Sequence, residues 1–280
     1  RSTLVQPQAA NLNVGHHMPL ADFLELTLAK LVGFYDQMGR TIEAPIRAKV
    51  GNQMFFRHQQ CSDVLLCYLK GVKLVSTLNA SLVLFRRGYV QEIGALCRMA
   101  DDFFFEIMFF VKPLGTDAPS KDQQRMFEDF FREEFEDPDN PLGTAKDRDN
   151  VPRRKINAAF GQIAKDELNP HDAQHTVSTV HKAFSGYVHG AYPHIMEMYG
   201  GNPPCFHMSG MLGTPRMEEW ADQLVTYVYR AIMATEIISR RLALPDSEKE
   251  IRSLLVEYEM ALNCRPTESA EAMLRRAKKK

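Results

Sequence analysis

Apolar side chains recur every three to four residues along most of the chain, which is the period of an α-helix. The longest predicted helix covers about 55–86, with an apolar stripe from Val64 to Phe85, and ends at Arg86, where basic residues followed by Gly88 are typical of a helix C-terminus. A second stripe runs from about 89 to 112 and is stopped by Pro113. Because only a short turn separates the two stripes, we predict a long antiparallel helix hairpin.

The same periodicity predicts further helices on both sides of this hairpin. They begin at Leu20 and Asp246 and otherwise cover about 121–135, 152–167, 171–189 and 217–244, with a short helix after Pro266. Residues 200–215 are too rich in glycine and proline for regular structure, and no stretch alternates polar and apolar residues over a convincing strand length. The fold class is therefore predicted to be all-α, with one helical-bundle domain at 19–265 between an irregular segment at 1–18 and a basic tail at 266–280.

Composition and charge limit the class of protein and its cellular location. The chain has 280 residues, 45% apolar and 25% charged, with a net charge of −1, which is typical of a soluble globular protein and excludes a globally basic surface for coating nucleic acid. The first residues lack the apolar core of a signal peptide, and the most hydrophobic run, 103–111, is far too short to span a bilayer. Five cysteines, an odd number with no Cys-x-x-Cys pair, suit reduced thiols. We expect a cytoplasmic protein with no membrane partner.

Seven polar side chains align along and just beyond the helix predicted at 171–189. They are His171, His175, Ser178, Lys182, Ser185, His189 and Tyr192. Their spacing alternates between four and three residues, which keeps them on one face at 3.6 residues per turn. A histidine can act as an acid or base near neutral pH, but a structural histidine bonded to a carboxylate fits the same pattern equally well.

A narrow polar arc also runs along the helix predicted at 89–112. Arg98, Asp102 and Glu106 follow one another at four-residue spacing, whereas most other positions are apolar. A helix this apolar is expected to be largely buried, and a buried arginine needs a carboxylate partner. The arc therefore predicts either a semi-buried charge network or a solvent-facing stripe of ordinary ion pairs, and the pattern favours neither.

These residues together resemble a known group of proteins. The pattern Gly88-Tyr-x-x-Glu92-x5-Arg98-x3-Asp102, followed later by Ser185-x3-His189, resembles a bacterial all-helical family related to the HEPN superfamily. The resemblance covers roughly residues 60–200. It implies a helical bundle with a HEPN-like core that is frequently dimeric. Some HEPN members are metal-independent ribonucleases of toxin–antitoxin and phage-defence systems, and others are inactive binding modules.

The chain departs from the motif that marks the catalytic members, which is Arg-x4–6-His. Counting back from His189, the window for the arginine holds Lys182, Ala183 and Phe184. Lysine supplies a point charge but not the bidentate fork of a guanidinium. This departure weakens the ribonuclease interpretation.

The first hypothesis is therefore a dimeric interaction module of HEPN-like type, with a role in stress or phage defence. In this hypothesis a polar network joins the two helices, and its members are Arg98, Asp102, Glu106, Ser185 and His189, with Tyr192 in the same binding region. No metal or cofactor motif is present, so none is predicted.

The alternative hypothesis is a metal-independent ribonuclease that acts as a toxin, with RNA as its partner. His189 would serve as the acid–base group, and Lys182 or Arg98 would hold the phosphate.

Overall fold

The computed structural model is helical over most of the residues it describes, which are 18–111, 118–135, 137, 139–144, 150–163 and 169–262. In chain order the helices are α1 (Leu20–Gly39), α2 (Asp63–Arg86), α3 (Val90–Phe109), α4 (Lys121–Phe131), α5 (Pro141–Thr144), α6 (Arg153–Ile163), α7 (Pro170–Val188), α8 (Tyr192–Met196), α9 (Arg216–Arg241) and α10 (Pro245–Ala261). Four short strands form two antiparallel pairs, β1 (Ile46–Val50) with β2 (Gln53–Arg57) and β3 (Tyr199–Gly200) with β4 (Cys205–Phe206). The prediction of an all-α helical bundle is confirmed, with these two small strand pairs added to it.

The predicted long helix hairpin is present and is formed by α2 and α3, which pack against each other. The turn between them is tight, and Gly88 adopts a left-handed conformation there (φ +79°). A side chain at this position would meet the backbone of Met211 and Leu212, because the carbonyl of Gly88 accepts a hydrogen bond of 2.7 Å from the amide of Met211. The turn is therefore joined directly to the loop that precedes α9.

The predicted start of α2 at residue 55 is wrong. The helix begins after Ser62, whose hydroxyl accepts a hydrogen bond of 3.0 Å from the Leu65 amide and so caps the first turn. Residues 53–57 instead form β2, which pairs with β1. The run Met54 to Phe56 therefore belongs to a strand and does not extend the apolar stripe of the helix.

The polar face predicted from His171 to Tyr192 is interrupted in the structure. Helix α7 ends at Val188, His189 is its C-cap, and Gly190 has a positive φ of 59°. The chain changes direction there, and Tyr192 begins the separate helix α8. Seven aligned side chains on one helix face are thus a wrong prediction, because the glycine after His189 ends the helix.

Other observed boundaries differ from the predicted ones by a few residues, and some predicted boundaries fall on residues that the structure does not describe. Helix α4 stops at Phe131, not at residue 135, because Arg132 is already extended (ψ 138°). The loop predicted at 200–215 contains the last residue of β3 and all of β4. Residues 1–17 of the irregular segment predicted at 1–18, the residues around Pro113 and the basic tail predicted at 266–280 lie outside the described residues.

Helix α9 is central to the bundle, since it packs against α1, α2, α3 and α10. Its buried side chains include Leu224, Tyr227, Ala231, Ile232 and Ile238. The buried core extends from α1 to α10 and includes side chains of α2, α3 and α7. Among the described residues, no helix combines the length and the hydropathy needed to cross a bilayer.

Candidate functional site

The polar arc of α3 is the centre of a charge cluster shared by four helices. Its members are Arg98, Asp101 and Asp102 on α3, Arg153 on α6, His181 on α7 and Arg230 on α9, and we call these six residues the α3 charge cluster. All of them are buried or half-buried, as expected for a helix that is otherwise apolar. The semi-buried version of the predicted network is therefore the one present for Arg98 and Asp102.

Asp101 is the most deeply buried member of the cluster, with 1% of its surface exposed. Its Oδ1 atom lies 2.5 Å from Nη1 of Arg230. The same guanidinium lies 4.9 Å from the ring centroid of Tyr227 and 5.8 Å from that of Phe105. Burial raises the pKa of the Asp101 carboxyl, and the positive charge of Arg230 opposes this shift.

Asp102 forms ion pairs with two arginines. It forms an ion pair with Arg98 one turn earlier on the same helix. Its Oδ1 atom also lies 2.6 Å from Nη1 of Arg153, while the second Arg153 nitrogen donates to the Asp101 carbonyl at 3.3 Å. One carboxylate thus holds two guanidinium groups from different helices.

The histidine that reaches this cluster is His181, not His189. Nε2 of His181 lies 3.8 Å from Oδ1 of Asp102. Burial, together with the positive charges of Arg98 and Arg153, lowers the pKa of His181 to about 4, and only Asp102 acts in the opposite direction. The imidazole is therefore neutral at physiological pH.

Glu106 lies one turn beyond Asp102 but belongs to a different interaction. Its carboxylate lies 2.6 Å from Nζ of Lys70 on α2. The ammonium group is also 4.9 Å from the ring centroid of Phe130 and 5.6 Å from that of Phe103. Lys70 and Glu106 line a cleft of about 410 Å³, with Asp129 as a further polar wall residue. Lys70 and Glu106 neutralise each other there, so this pair adds no net charge to the cleft.

The remaining sequence-predicted site residues lie on α7, at its C-cap and on α8, and take no part in these ion pairs. His189, Lys182 and Tyr192 are exposed, and Ser185 is half-buried. Within the part of the chain that the structure describes, none of these four side chains forms a hydrogen bond or an ion pair. The structure thus joins Arg98 to Asp102 and does not link either residue to Ser185 or His189.

A second polar cluster lies where α7 meets α8, around Glu197. Its Oε2 atom accepts hydrogen bonds from the Tyr187 hydroxyl at 2.9 Å and from the Gln91 amide at 3.2 Å. Arg216 at the start of α9 lies 3.7 Å from the other carboxylate oxygen. The imidazole of His194 packs edge-on against the Tyr187 ring. These contacts fix the end of α7 to α3 and α9.

Sequence reasoning missed Asp101, Arg153, His181 and Arg230. One signal for His181 was present, because it continues the four-residue spacing of the buried Ala173 and Val177. A polar residue on an apolar stripe indicates an interior partner. No local pattern indicated Arg153, which is 51 residues from Asp102 in sequence.

Exposed apolar side chains concentrate between the end of α7 and the start of α9. Those in this segment are Val188, Tyr192, Ile195, Tyr199, Phe206, Met208 and Leu212, and we call them the 188–212 surface. The rings of Tyr199 and Phe206 lie 4.9 Å apart across β3 and β4, and the His207 amide donates to the Met198 carbonyl at 2.9 Å. The segment is thus an ordered structure that carries its apolar groups outward.

The described residues contain no group of three or more His, Cys, Asp or Glu side chains arranged to hold a metal ion. Comparisons of the chain with protein-family models, with curated proteins and with solved structures give no match.

Proposed function

We propose that the protein is a cytoplasmic, non-catalytic interaction module of HEPN-like type that forms a homodimer through the 188–212 surface. In this proposal the α3 charge cluster has a supporting role. It holds α3, α6, α7 and α9 together.

The observation that carries the proposal is the number of exposed apolar side chains in one segment that lacks lysine and arginine. Of the nineteen large apolar side chains that are exposed among the described residues, seven belong to the 188–212 surface. Concentrated apolar surface of this kind marks interaction sites, and tyrosine, phenylalanine and methionine are enriched in protein interfaces. Of the remaining twelve, four lie on the β1–β2 hairpin, and the other eight are distributed over the helices.

The chemistry of the segment favours a protein partner over RNA. Residues 188–212 contain neither lysine nor arginine, and their one acidic residue, Glu197, is engaged inside the protein. A surface without cations cannot neutralise phosphates. A second copy of the chain suits a surface that is apolar and uncharged, since a twofold dimer places the same patch on both sides. The resemblance to HEPN proteins, which are frequently dimeric, supports the same partner.

The arrangement of ionic groups supports a non-catalytic role. A ribonuclease of the predicted kind needs a cation beside His189 to hold phosphate. Arg98 is engaged by Asp102, and no contact among the described residues joins His189 to Arg98 or to Lys182. The ribonuclease hypothesis therefore ranks second.

The dimer is tested by sedimentation of the full chain. We expect wild type to be a dimer. Met208→Lys and Tyr192→Lys should each raise the dissociation constant of the dimer about 30-fold or more, because each variant would bury an unpaired ammonium group at the interface. Met260→Lys is the matched control, since Met260 is 75% exposed against 78% for Met208 but lies on α10. The control should remain dimeric. A wild-type monomer at all concentrations, or equal weakening by the control, would contradict the proposal.

An RNA-cleavage assay with added chelator separates the two functions. We expect no cleavage by wild type beyond that of His189→Ala. Cleavage by wild type that persists with chelator and disappears in His189→Ala would establish the ribonuclease instead.

A further inference from the structure

The hairpin formed by β1 and β2, residues 46–57, presents one face with an unusual composition. The register pairs Arg47 with Phe56 and Lys49 with Met54. Because directly paired residues of an antiparallel sheet lie on the same side, and side chains alternate along each strand, these four share one face. This outward face contains two cations, one aromatic ring and one thioether.

The outward face is turned to solvent. All four of its side chains are exposed, and the Phe56 ring has 62% of its surface accessible. The opposite side of the hairpin is more covered, since Ala48 and Val50 are half-buried. The Arg47 guanidinium lies 5.8 Å from the centroid of the Phe56 ring, so a charge and a flat apolar surface stand side by side.

The hairpin is fixed to the rest of the protein by contacts that do not use this face. Arg57 makes two hydrogen bonds with the Glu133 carboxylate, of 2.5 and 2.9 Å, and the Asn52 amide donates to Asp139 at 3.2 Å. Across the residues that the structure describes, neither Arg47 nor Lys49 has an ion-pair partner. The two cations thus lie on an anchored hairpin, and no carboxylate of the described segments neutralises them.

We propose that the outward face of the 46–57 hairpin binds single-stranded nucleic acid. A base stacks on the Phe56 ring, and Arg47 and Lys49 contact the neighbouring phosphates. Aromatic rings combined with cations form the usual platform for single strands, because every base has a face to stack and every nucleotide carries a negative charge. This inference is independent of the proposed dimer and of any catalytic role.

The charge and shape of the face favour this occupant over a membrane. The face carries no carboxylate, so it is complementary to an anionic partner. The tip of the hairpin, Gly51 to Gln53, is polar, whereas a hairpin that inserts into lipid needs its apolar groups at the tip. Phe56 is the fourth of the five residues of β2, away from the tip of the hairpin, where its exposed ring can meet a flat base.

The experiment measures binding of a fluorescein-labelled oligouridine of about 12 nucleotides to the full chain by fluorescence anisotropy. Wild type should bind, and Phe56→Ala should weaken binding about 5- to 150-fold, the effect of losing one stacked base. The logarithm of the binding constant falls as the logarithm of the salt concentration rises. Lys49→Ala should make this slope less steep by about 0.7, the value for one lost phosphate contact with a single strand.

Matched controls are available on the same strand and on a helix. Phe55→Ala removes a ring from the opposite face of β2, and Lys73→Ala removes an exposed lysine from α2. Both should bind like wild type. Binding to oligouridine, to oligothymidine or to both supports the proposal and shows whether the face binds single-stranded RNA, single-stranded DNA or both. Binding to duplex alone, an equal loss in Phe55→Ala, or Phe56-dependent binding to phosphatidylserine vesicles without binding to either oligonucleotide would overturn it.

Discussion

The ion pair between Asp101 and Arg230 illustrates how single residues of the charge cluster contribute to stability. Two buried charges are stable together because each lowers the energetic penalty of burying the other. Removal of one partner leaves the other charge buried and unpaired. The contribution of the pair is therefore visible mainly when only one member is lost.

We expect Arg230→Met to lower the free energy of unfolding by about 3–5 kcal/mol, because Asp101 remains buried without its counter-charge. The double variant Asp101→Leu with Arg230→Met should recover a substantial part of this loss. Arg252→Met is the control, since Arg252 is exposed although it contacts Glu236 and Glu248. It should leave stability nearly unchanged in urea denaturation. Equal losses for Arg230→Met and Arg252→Met would contradict the structure.

His181 gives the cluster a defined response to acid. Its pKa is lowered from 6.5 in the unfolded chain to about 4 in the folded protein. Between these values the unfolded state binds a proton that the folded state does not, so stability contributed by His181 is lost as the pH falls from about 6.5 towards 4.

We therefore expect the free energy of unfolding of wild type to fall more steeply between pH 6.5 and pH 4 than that of His181→Gln, which cannot take up the proton. Urea titrations at several pH values measure the difference. Parallel curves for the two proteins would show that burial and Arg98 and Arg153 do not lower this pKa.

The residues of the site divide into those that a local pattern reveals and those that only the fold brings together. Arg98 and Asp102 are four apart on one helix, so their pairing follows from helix geometry. Arg230 is 129 residues from Asp101, and no short-range pattern connects them. The polar arcs of two otherwise apolar helices, together with the resemblance, group Ser185 and His189 with Arg98, and the described residues give no contact that joins them.

At the scale of elements, close packing of α3 on α7 depends on Gly94. A methyl group on Gly94 would come 2.4 Å from a ring carbon of Tyr187, which is far inside van der Waals contact. In α1, by contrast, Gly33 has no atom within 4 Å of the corresponding position. The same substitution therefore has opposite consequences at the two sites.

We expect Gly94→Ala to destabilise the protein by about 1–3 kcal/mol, because the overlap outweighs the gain in helix propensity. Gly33→Ala should stabilise it by about 0.5–1 kcal/mol, because only the propensity gain remains. Thermal and urea unfolding test the pair. Stabilisation by both substitutions would mean that α3 and α7 are further apart than described.

Helices were predictable from the sequence where their ends carry local signals. The Arg86–Gly88 turn and Pro245 marked real boundaries. The start of α2 was missed because the apolar run Met54 to Phe56 precedes the helix closely in sequence, although it forms a strand whose side chains are exposed. Apolar spacing alone cannot separate an exposed strand from the first turn of a buried helix.

At the scale of the whole molecule, the continuous core predicts cooperative unfolding. Trp220, the one tryptophan of the chain, packs against Phe184 and Tyr187 where α9 meets α7. We expect its fluorescence and the far-ultraviolet circular dichroism of the helices to change with the same urea midpoint, because one core extends from α1 to α10. Two separate midpoints would contradict the predicted single domain at 19–265.

The turn at Gly88 has a consequence for how the 188–212 surface could vary. The end of this segment contacts the turn through main-chain atoms, since the Gly88 carbonyl accepts a hydrogen bond from the Met211 amide. The approach is so close that a side chain on Gly210 would collide with the carbonyl of Arg87. Docking of this kind does not depend on the side chains at Tyr192 or Met208. If the proposed dimer forms through this surface, substitutions at those two positions would change the choice of partner, while the two glycines keep the loop in contact with the bundle.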